Sequence, residues 1–246
     1  MNKLCLLAMA AMVWGGCSDD DRAARENPAR IRMQQELGEI RHGLQLQPDS
    51  HHLYFAMGQI YERYGQVDSA LGAYEHCVTL LEAFPEAHRR LGDLYFQRQQ
   101  LPLAAAAYEQ AARFAPDDAK IHNNLGFVYR RQGQSEAAMN AYERALECDS
   151  MMVEAMNNLG QIQRASGDTL AAIGNFRRAI RIDADFRPAY VNLVKMLGES
   201  GSTERERILL EQMVSRFGKS SKEGRYAYTR LLEMGVESYL LNSTLS

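Results

Sequence analysis

Three asparagines, Asn124, Asn158 and Asn192, stand 34 residues apart. A primary amide both donates and accepts hydrogen bonds, so such a row suits a sequence-tolerant grip on the peptide units of an extended chain. Residues that could do covalent or metal chemistry are not gathered in this way. Cys5 and Cys17 lie near the start, Cys77 and Cys148 are far apart, and no pair has the CxxC spacing of a metal or redox site. His51 and His52 are adjacent and so point to different faces of a helix, while His88 and His122 recur at the same 34-residue interval as a packing position. There is no glycine-rich phosphate loop, no GxSxG and no HExxH. No catalytic residue, metal site or cofactor is expected, and the chemistry that remains is noncovalent binding. A formal net charge of −3 gives no bulk attraction for nucleic acid.

The interval that separates the asparagines runs through most of the chain. Residues 119–152 hold Leu125, Gly126 and Tyr129, then Gly133, then Ala138, Tyr142 and Ala145. The same offsets 34 residues earlier hold Leu91, Gly92, Tyr95, Gln99, Ala104, Tyr108 and Ala111, and one step further Met57, Gly58, Tyr61, Gly65, Ala70, Tyr74 and Cys77. One step later they hold Leu159, Gly160, Gln163, Gly167, Ala172, Phe176 and Ala179. Self-similarity at this period marks a helical repeat array. The copies fall at 51–84, 85–118, 119–152 and 153–186, with a degenerate fifth at 187–220 in which Val194, Glu206 and Met213 replace Gly, Ala and Ala. Such an array reads as one elongated domain, because a single copy has too little apolar surface to order itself alone.

Each copy must reverse at its middle. Gly65, Gly133, Gly167 and Gly201 can take the left-handed conformation that ends a helix there, and Gln99 is the exception, with Pro102 in the following turn. The glycines on the first helix, Gly58, Gly92, Gly126 and Gly160, are expected to face Ala70, Ala104, Ala138 and Ala172 on the second. The aromatics Tyr74, Tyr108, Tyr142 and Phe176 are then left to fill the gap to the next copy. Cys77 takes a slot that holds Ala in the next three copies and reads as a small buried thiol. An intrachain disulfide with Cys148 is not expected, because they lie two copies apart and repeats touch only their neighbours.

The ends differ from the repeats. Residues 29–50 carry Ile31, Leu37, Ile40, Leu44 and Leu46 at near-helical spacing and read as an N-terminal capping helix. Residues 221–246 read as a closing helix and tail, with Ser220 and Glu223 as a capping box and Tyr226, Leu231 and Leu232 as its apolar face. Residues 1–16 contain an apolar run from Leu4 to Trp14, too short for the about 20 residues that a spanning helix needs, and read as a secretory signal peptide. Residues 17–28 are charged and poor in large apolar side chains, which suits a flexible tether. The sequence Val13-Trp14-Gly15-Gly16-Cys17 resembles the lipobox of bacterial lipoproteins, although Trp14 stands where that family usually has Leu. The other reading is an ordinary signal peptide with an incidental cysteine. The resemblance implies acyl chains on Cys17. Ser18 after it resembles lipoproteins released to the outer membrane, so the expected location is the periplasmic face of a bacterial envelope.

The repeat residues resemble the tetratricopeptide repeat (TPR) family, over about His51 to Asp185. That implies an all-α fold, a right-handed superhelical solenoid of antiparallel helix pairs with a 34-residue period. It also implies a concave groove, lined by the first helices, that takes protein or peptide segments. Mapped onto this chain, the groove positions include Arg89, Lys120, Asn123, Asn124, Phe127, Arg130, Arg131, Asn157, Asn158, Gln161, Arg164 and Asn192. Asn124, Asn158 and Asn192 resemble the asparagines with which some members hold a peptide backbone; the same slot also serves bonding within the repeat. Lys120, Arg130, Arg131 and Arg164 outnumber the acids on this face, which favours an acidic segment or a free carboxylate. The carboxylate clamp of chaperone-binding members is not met, since Asp93 and Phe127 stand where Asn is needed. The function implied is a noncatalytic adaptor. The alternatives are a stable subunit of an envelope machine (pilus, secretion or outer-membrane assembly) or an accessory subunit of a glycosyltransferase or peptidoglycan enzyme.

Overall fold

The computed structural model describes residues 27–236. The expected leader, the expected acylation residue Cys17, the expected tether up to residue 26 and the tail after residue 236 lie outside the described residues. The described chain is all-α, with twelve helices and no strand among the described residues: α1 (Pro28–Leu46), α2 (His51–Arg63), α3 (Val67–Leu80), α4 (Pro85–Gln97), α5 (Leu101–Phe114), α6 (Ala119–Arg131), α7 (Ser135–Cys148), α8 (Val153–Ala165), α9 (Thr169–Ile182), α10 (Arg187–Glu199), α11 (Thr203–Phe217) and α12 (Lys222–Glu233). None of them is long and apolar enough to cross a membrane. Contacts divide the chain into two compact units, Met1–Glu82 and Ala83–Ser246, which hold α1–α3 and α4–α12.

The helices start and stop for local reasons. Asp118 Oδ1 accepts from the amides of Lys120 and Ile121, which would otherwise be unsatisfied in the first turn of α6. Asp168 does the same for Ala171 at the start of α9. Each first helix then ends in one motif. In the third copy Gly133 takes φ +77°, and the amide of Gln134 donates back to Tyr129 O at 2.9 Å. In the second copy Gln99 takes φ +60°, and Gln100 N donates to Tyr95 O at 2.9 Å, so a residue with a Cβ is held in the left-handed region by the same bond.

The pairing of helices within a copy differs from the sequence expectation. A Cβ added to Gly58, Gly92, Gly126 or Gly160 would meet the ring of Tyr74, Tyr108, Tyr142 or Phe176 at 2.5, 2.8, 2.8 and 2.8 Å. The glycines therefore face the aromatics of their own copy rather than the alanines. The reason is antiparallel register: a reversal at Gly133 and Gln134 mirrors Gly126 onto residues 141 and 142. The rings also reach the next copy, since Tyr142 shares a core cluster with Leu159 and Ile162. One side chain thus closes its own helix pair and contributes to the interface between copies.

In the first unit α1 is fixed by Leu37, which is fully buried, and by Glu36, which receives Arg63 Nη1 and the Tyr64 hydroxyl, both at 2.9 Å. Ile31 and Leu46, expected on its apolar face, are exposed. Cys77 is buried, which pushes its thiol pKa up to about 11, and both Cys77 and Cys148 are free thiols.

The degenerate fifth copy is closed by substitutions that belong together. Val194 replaces the glycine and Leu210 the aromatic, and both are buried in one cluster with Met213. Glu206, in the alanine slot, is buried, and its Oε1 accepts from Arg230 Nε of α12 at 2.9 Å. The cap of α12 is Ser221, not Ser220: Ser221 Oγ accepts from Gly224 N at 3.0 Å. Gly224 is required there, because a Cβ would lie 1.9 Å from Gly218 O. The buried face of α12 is Gly224, Ala227 and Leu231, whose i, i+3, i+7 spacing keeps them in line, while Tyr226 and Leu232 are exposed.

Candidate functional site

The first helices of the second unit, α4, α6, α8 and α10, present one continuous face, and side chains on it bond from copy to copy. The asparagine row is part of that bonding. Asn158 Nδ2 donates to Asn123 Oδ1 at 3.1 Å, and Asn192 Nδ2 donates to Asn157 Oδ1 at 2.8 Å. Asn124 lies near the Tyr108 hydroxyl of the preceding copy. Asn158 and Asn192 therefore tie their copies to the preceding ones, and Asn157 is itself buried.

The basic residues fall into two groups. Arg89 is neutralised by Glu86 and by Asp93, at 2.6 and 2.9 Å, and Arg164 by both oxygens of Glu199. Glu86 is held below the usual carboxylate range by its hydrogen bond from Arg89. Arg130 and Arg131 are matched with neutral partners instead. Arg130 Nη1 donates to Gln161 Oε1 at 2.5 Å, and Arg131 Nη2 to Gln99 Oε1 at 2.8 Å. Their guanidinium carbons lie over Phe127 and Phe96, 5.0 and 5.7 Å from the ring centroids. The two rings meet edge to face at 5.3 Å. The result is an aromatic and cationic patch whose two charges face no carboxylate among the described residues. Lys120 is exposed at the start of α6.

Beneath the patch lies a residue that sequence reasoning treated as packing alone. The Tyr74 hydroxyl donates to Glu62 Oε2 at 2.8 Å, and the Tyr108 hydroxyl to Asp93 Oδ1 at 2.5 Å. Glu62 is the twelfth residue of its copy and Asp93 the ninth. In the third copy those positions hold Arg130 and Phe127, so the fully buried Tyr142 hydroxyl has no hydrogen-bond partner, and neither has Arg130 Nε. A buried polar group without a partner costs about 1–3 kcal/mol. Burial pushes the Tyr142 pKa up to about 12, against the opposing pull of Arg130, so the phenol keeps its proton. In the fourth copy Phe176 has no hydroxyl to satisfy. The signal was present in the sequence as a tyrosine that persists after both acids have gone. The two histidines are structural: His88 stacks on Phe114 at 5.8 Å, and a ring nitrogen of His122 bonds Pro116 O at 2.8 Å.

Family models of the tetratricopeptide repeat match residues 51–81 and 153–186 and residues 119–151, and a TPR repeat model matches residues 92–133. This chain is a tetratricopeptide repeat protein. Among solved structures the TPR chain is similar to MamA, with 19% identity, a TM-score of 0.65, and coverage of 71% of this chain and 96% of that one. It is also similar to YrrB, described as a TPR protein with an unusual peptide-binding site, with 17% identity, a TM-score of 0.64, and coverage of 77% and 97%. PilF of Pseudomonas aeruginosa gives 12% identity, a TM-score of 0.66, and coverage of 82% and 91%. At these identities the likeness is one of fold. No curated protein matches by sequence. TPR arrays are protein–protein interaction modules, and the fold here is a helical repeat solenoid of that kind.

Proposed function

We propose that this TPR protein is a noncatalytic adaptor that holds segments of partner proteins against the first-helix face of its second unit. The observation that carries the reading is the patch of Phe96, Phe127, Arg130 and Arg131. It joins apolar ring surface to two guanidinium groups matched only by neutral amides. Such a surface suits an extended chain with apolar and polar side chains in turn. The peptide-binding site named for YrrB, a protein of the same fold, supports the assignment. The groove residues of this reading are Arg89, Lys120, Asn123, Asn124, Phe127, Arg130, Arg131, Asn157, Asn158, Gln161, Arg164 and Asn192. The asparagines serve mainly to hold the face in register.

The adaptor works at the periplasmic face of a bacterial envelope, held by acyl chains on Cys17. The lipobox-like sequence before Cys17 supports this. Several acyl chains hold a protein firmly, at about 0.8 kcal/mol per buried CH₂. Metabolic labelling with a palmitate analogue should mark the wild type and not Cys17→Ala, and equal labelling would refute the anchor.

The binding reading is tested with a photoreactive residue at Phe127 in intact cells, followed by mass spectrometry of what is captured. Many partners sharing an extended segment are expected of an adaptor. One partner at fixed stoichiometry would make the protein a subunit of a machine. No capture from Phe127, with capture from the opposite face, would refute the assigned surface.

A further inference from the structure

Three copies of this chain carry a tyrosine at the same buried position, and two of them supply an acid for its hydroxyl from their own first helix: Glu62 for Tyr74 and Asp93 for Tyr108. The third does not. Arg130 lies close to Tyr142, but a guanidinium only donates, so the Tyr142 proton has no acceptor whatever the approach of Arg130. Arg130 Nε–H is likewise without one, and the charge of Arg130 is met by the amide of Gln161 rather than by an acid. The third copy therefore has two buried donors, one of them cationic, at a place where its neighbours have a carboxylate.

We propose that the acid missing from the third copy is supplied by the partner: a carboxylate of the bound segment enters beside Phe127, takes over the role that Asp93 has in the second copy, and accepts from Tyr142 and Arg130 together. The inference rests on the first-helix face being the binding surface and names what is read there. Asp93 shows that one carboxylate can serve both kinds of group, since its two oxygens take the Tyr108 hydroxyl and Arg89 Nη1 at once. Access requires Arg130 to swing outward. Its head group is held by one hydrogen bond to neutral Gln161 and by the face of Phe127, both of them partly exposed. The incoming carboxylate exchanges that bond for a charge-assisted pair and uncovers the phenol. A neutral segment could offer only a peptide carbonyl, a weaker acceptor for a cation.

The test uses the folded chain with ¹⁵N-labelled arginine and follows the Arg130 Nε–H resonance, assigned through Arg130→Lys. Three alanine pentapeptides are titrated to millimolar concentration. Two are capped at both ends, with a central Glu or a central Gln, and the third has a free C-terminal carboxylate. A saturable shift with the Glu peptide and none with the Gln peptide is expected. A stronger response to the third peptide would identify the acid as a chain terminus instead of a side chain, and either response supports the inference. Tyr142→Phe should weaken the acidic peptide about tenfold or more, as for a hydrogen bond to a charged group. Phe127→Asp, which restores the acid in cis, should abolish the response. Equal shifts from Glu and Gln peptides, no shift from any, or no effect of Tyr142→Phe would overturn the inference. Capture of partners from Phe127 in cells would survive each of those results, so the two readings fail separately.

Discussion

The ring of Tyr142 lies over Gly126 so closely that a Cβ on Gly126 would sit 2.8 Å from two of its carbons. The ring cannot retreat, because Tyr142 is fully buried and shares a cluster with Leu159 and Ile162 of the next copy. Gly126→Ala should therefore destabilise the array by about 1–3 kcal/mol through overpacking. Gly126→Leu should do so by more. Gly72, with nothing within 4 Å of its Cβ position, is the control, and Gly72→Ala should be neutral or stabilising. Urea unfolding followed by circular dichroism reads all three, and an unchanged midpoint for Gly126→Ala would refute the pairing of glycine with ring.

The same substitution at two tyrosines should have opposite consequences. Tyr108→Phe removes a hydrogen bond to the carboxylate of Asp93 and should cost about 1.5–3 kcal/mol. Tyr142→Phe removes a hydroxyl that has no partner and should leave stability unchanged or raise it by up to about 1 kcal/mol. Equal losses would mean that Tyr142 has an acceptor after all.

The closing helix is joined to the fifth copy by the ion pair of Arg230 with the buried Glu206, beside that of Glu223 with Arg187. Arg230→Ala leaves the carboxylate of Glu206, 4% exposed, without its partner, and should cost about 3 kcal/mol, at the low end for a broken buried pair. Glu206→Gln keeps an acceptor for Arg230 and strands no buried charge, so it should cost less. Limited proteolysis within α12 gives a local readout, and faster cleavage is expected for Arg230→Ala than for Glu206→Gln.

Stability should fall in alkali. Burial raises the Cys77 thiol from 9.0 to about 11, and burial raises Tyr129 and Tyr142 from 10.0 to about 12, with Glu109 adding to the effect on Tyr129. A raised acid pKa means that the folded state keeps its proton while the unfolded chain loses it. The contribution is full below pH 9, begins to fail as the unfolded thiol ionises, and is gone by about pH 12. Urea midpoints measured across that window should drop steadily. Cys77→Ala should remove the earliest part of the drop, and an unaltered profile would show that the thiol is not protected. In the native protein Cys148, partly exposed, should react with a thiol reagent before Cys77 does.

The array was legible in the sequence because its physics is local and repeated. A 34-residue period, a turn residue at the same place in each copy and apolar residues at helical spacing are properties of short segments, and short segments determine helices and their ends. Even the pairing of Gly126 with Tyr142 follows from reflecting one helix about the turn at Gly133. The sequence expectation missed it by matching small residues to small ones instead of counting from the turn. What lay beyond the sequence were relationships between side chains on different helices. That Asn158 bonds Asn123, that Arg164 is neutralised by Glu199 while Arg130 is not, and that Glu206 in an alanine slot is held by Arg230 all depend on which atoms the stacking of helices brings within 3.2 Å. A hydrogen bond is decided by tenths of an ångström across partners 24 to 35 residues apart, whereas a helix is decided within a few turns. For that reason the sequence alone determined the repeats, and only the tertiary structure decided which of their polar groups are satisfied and that Tyr142 is left waiting for an acceptor.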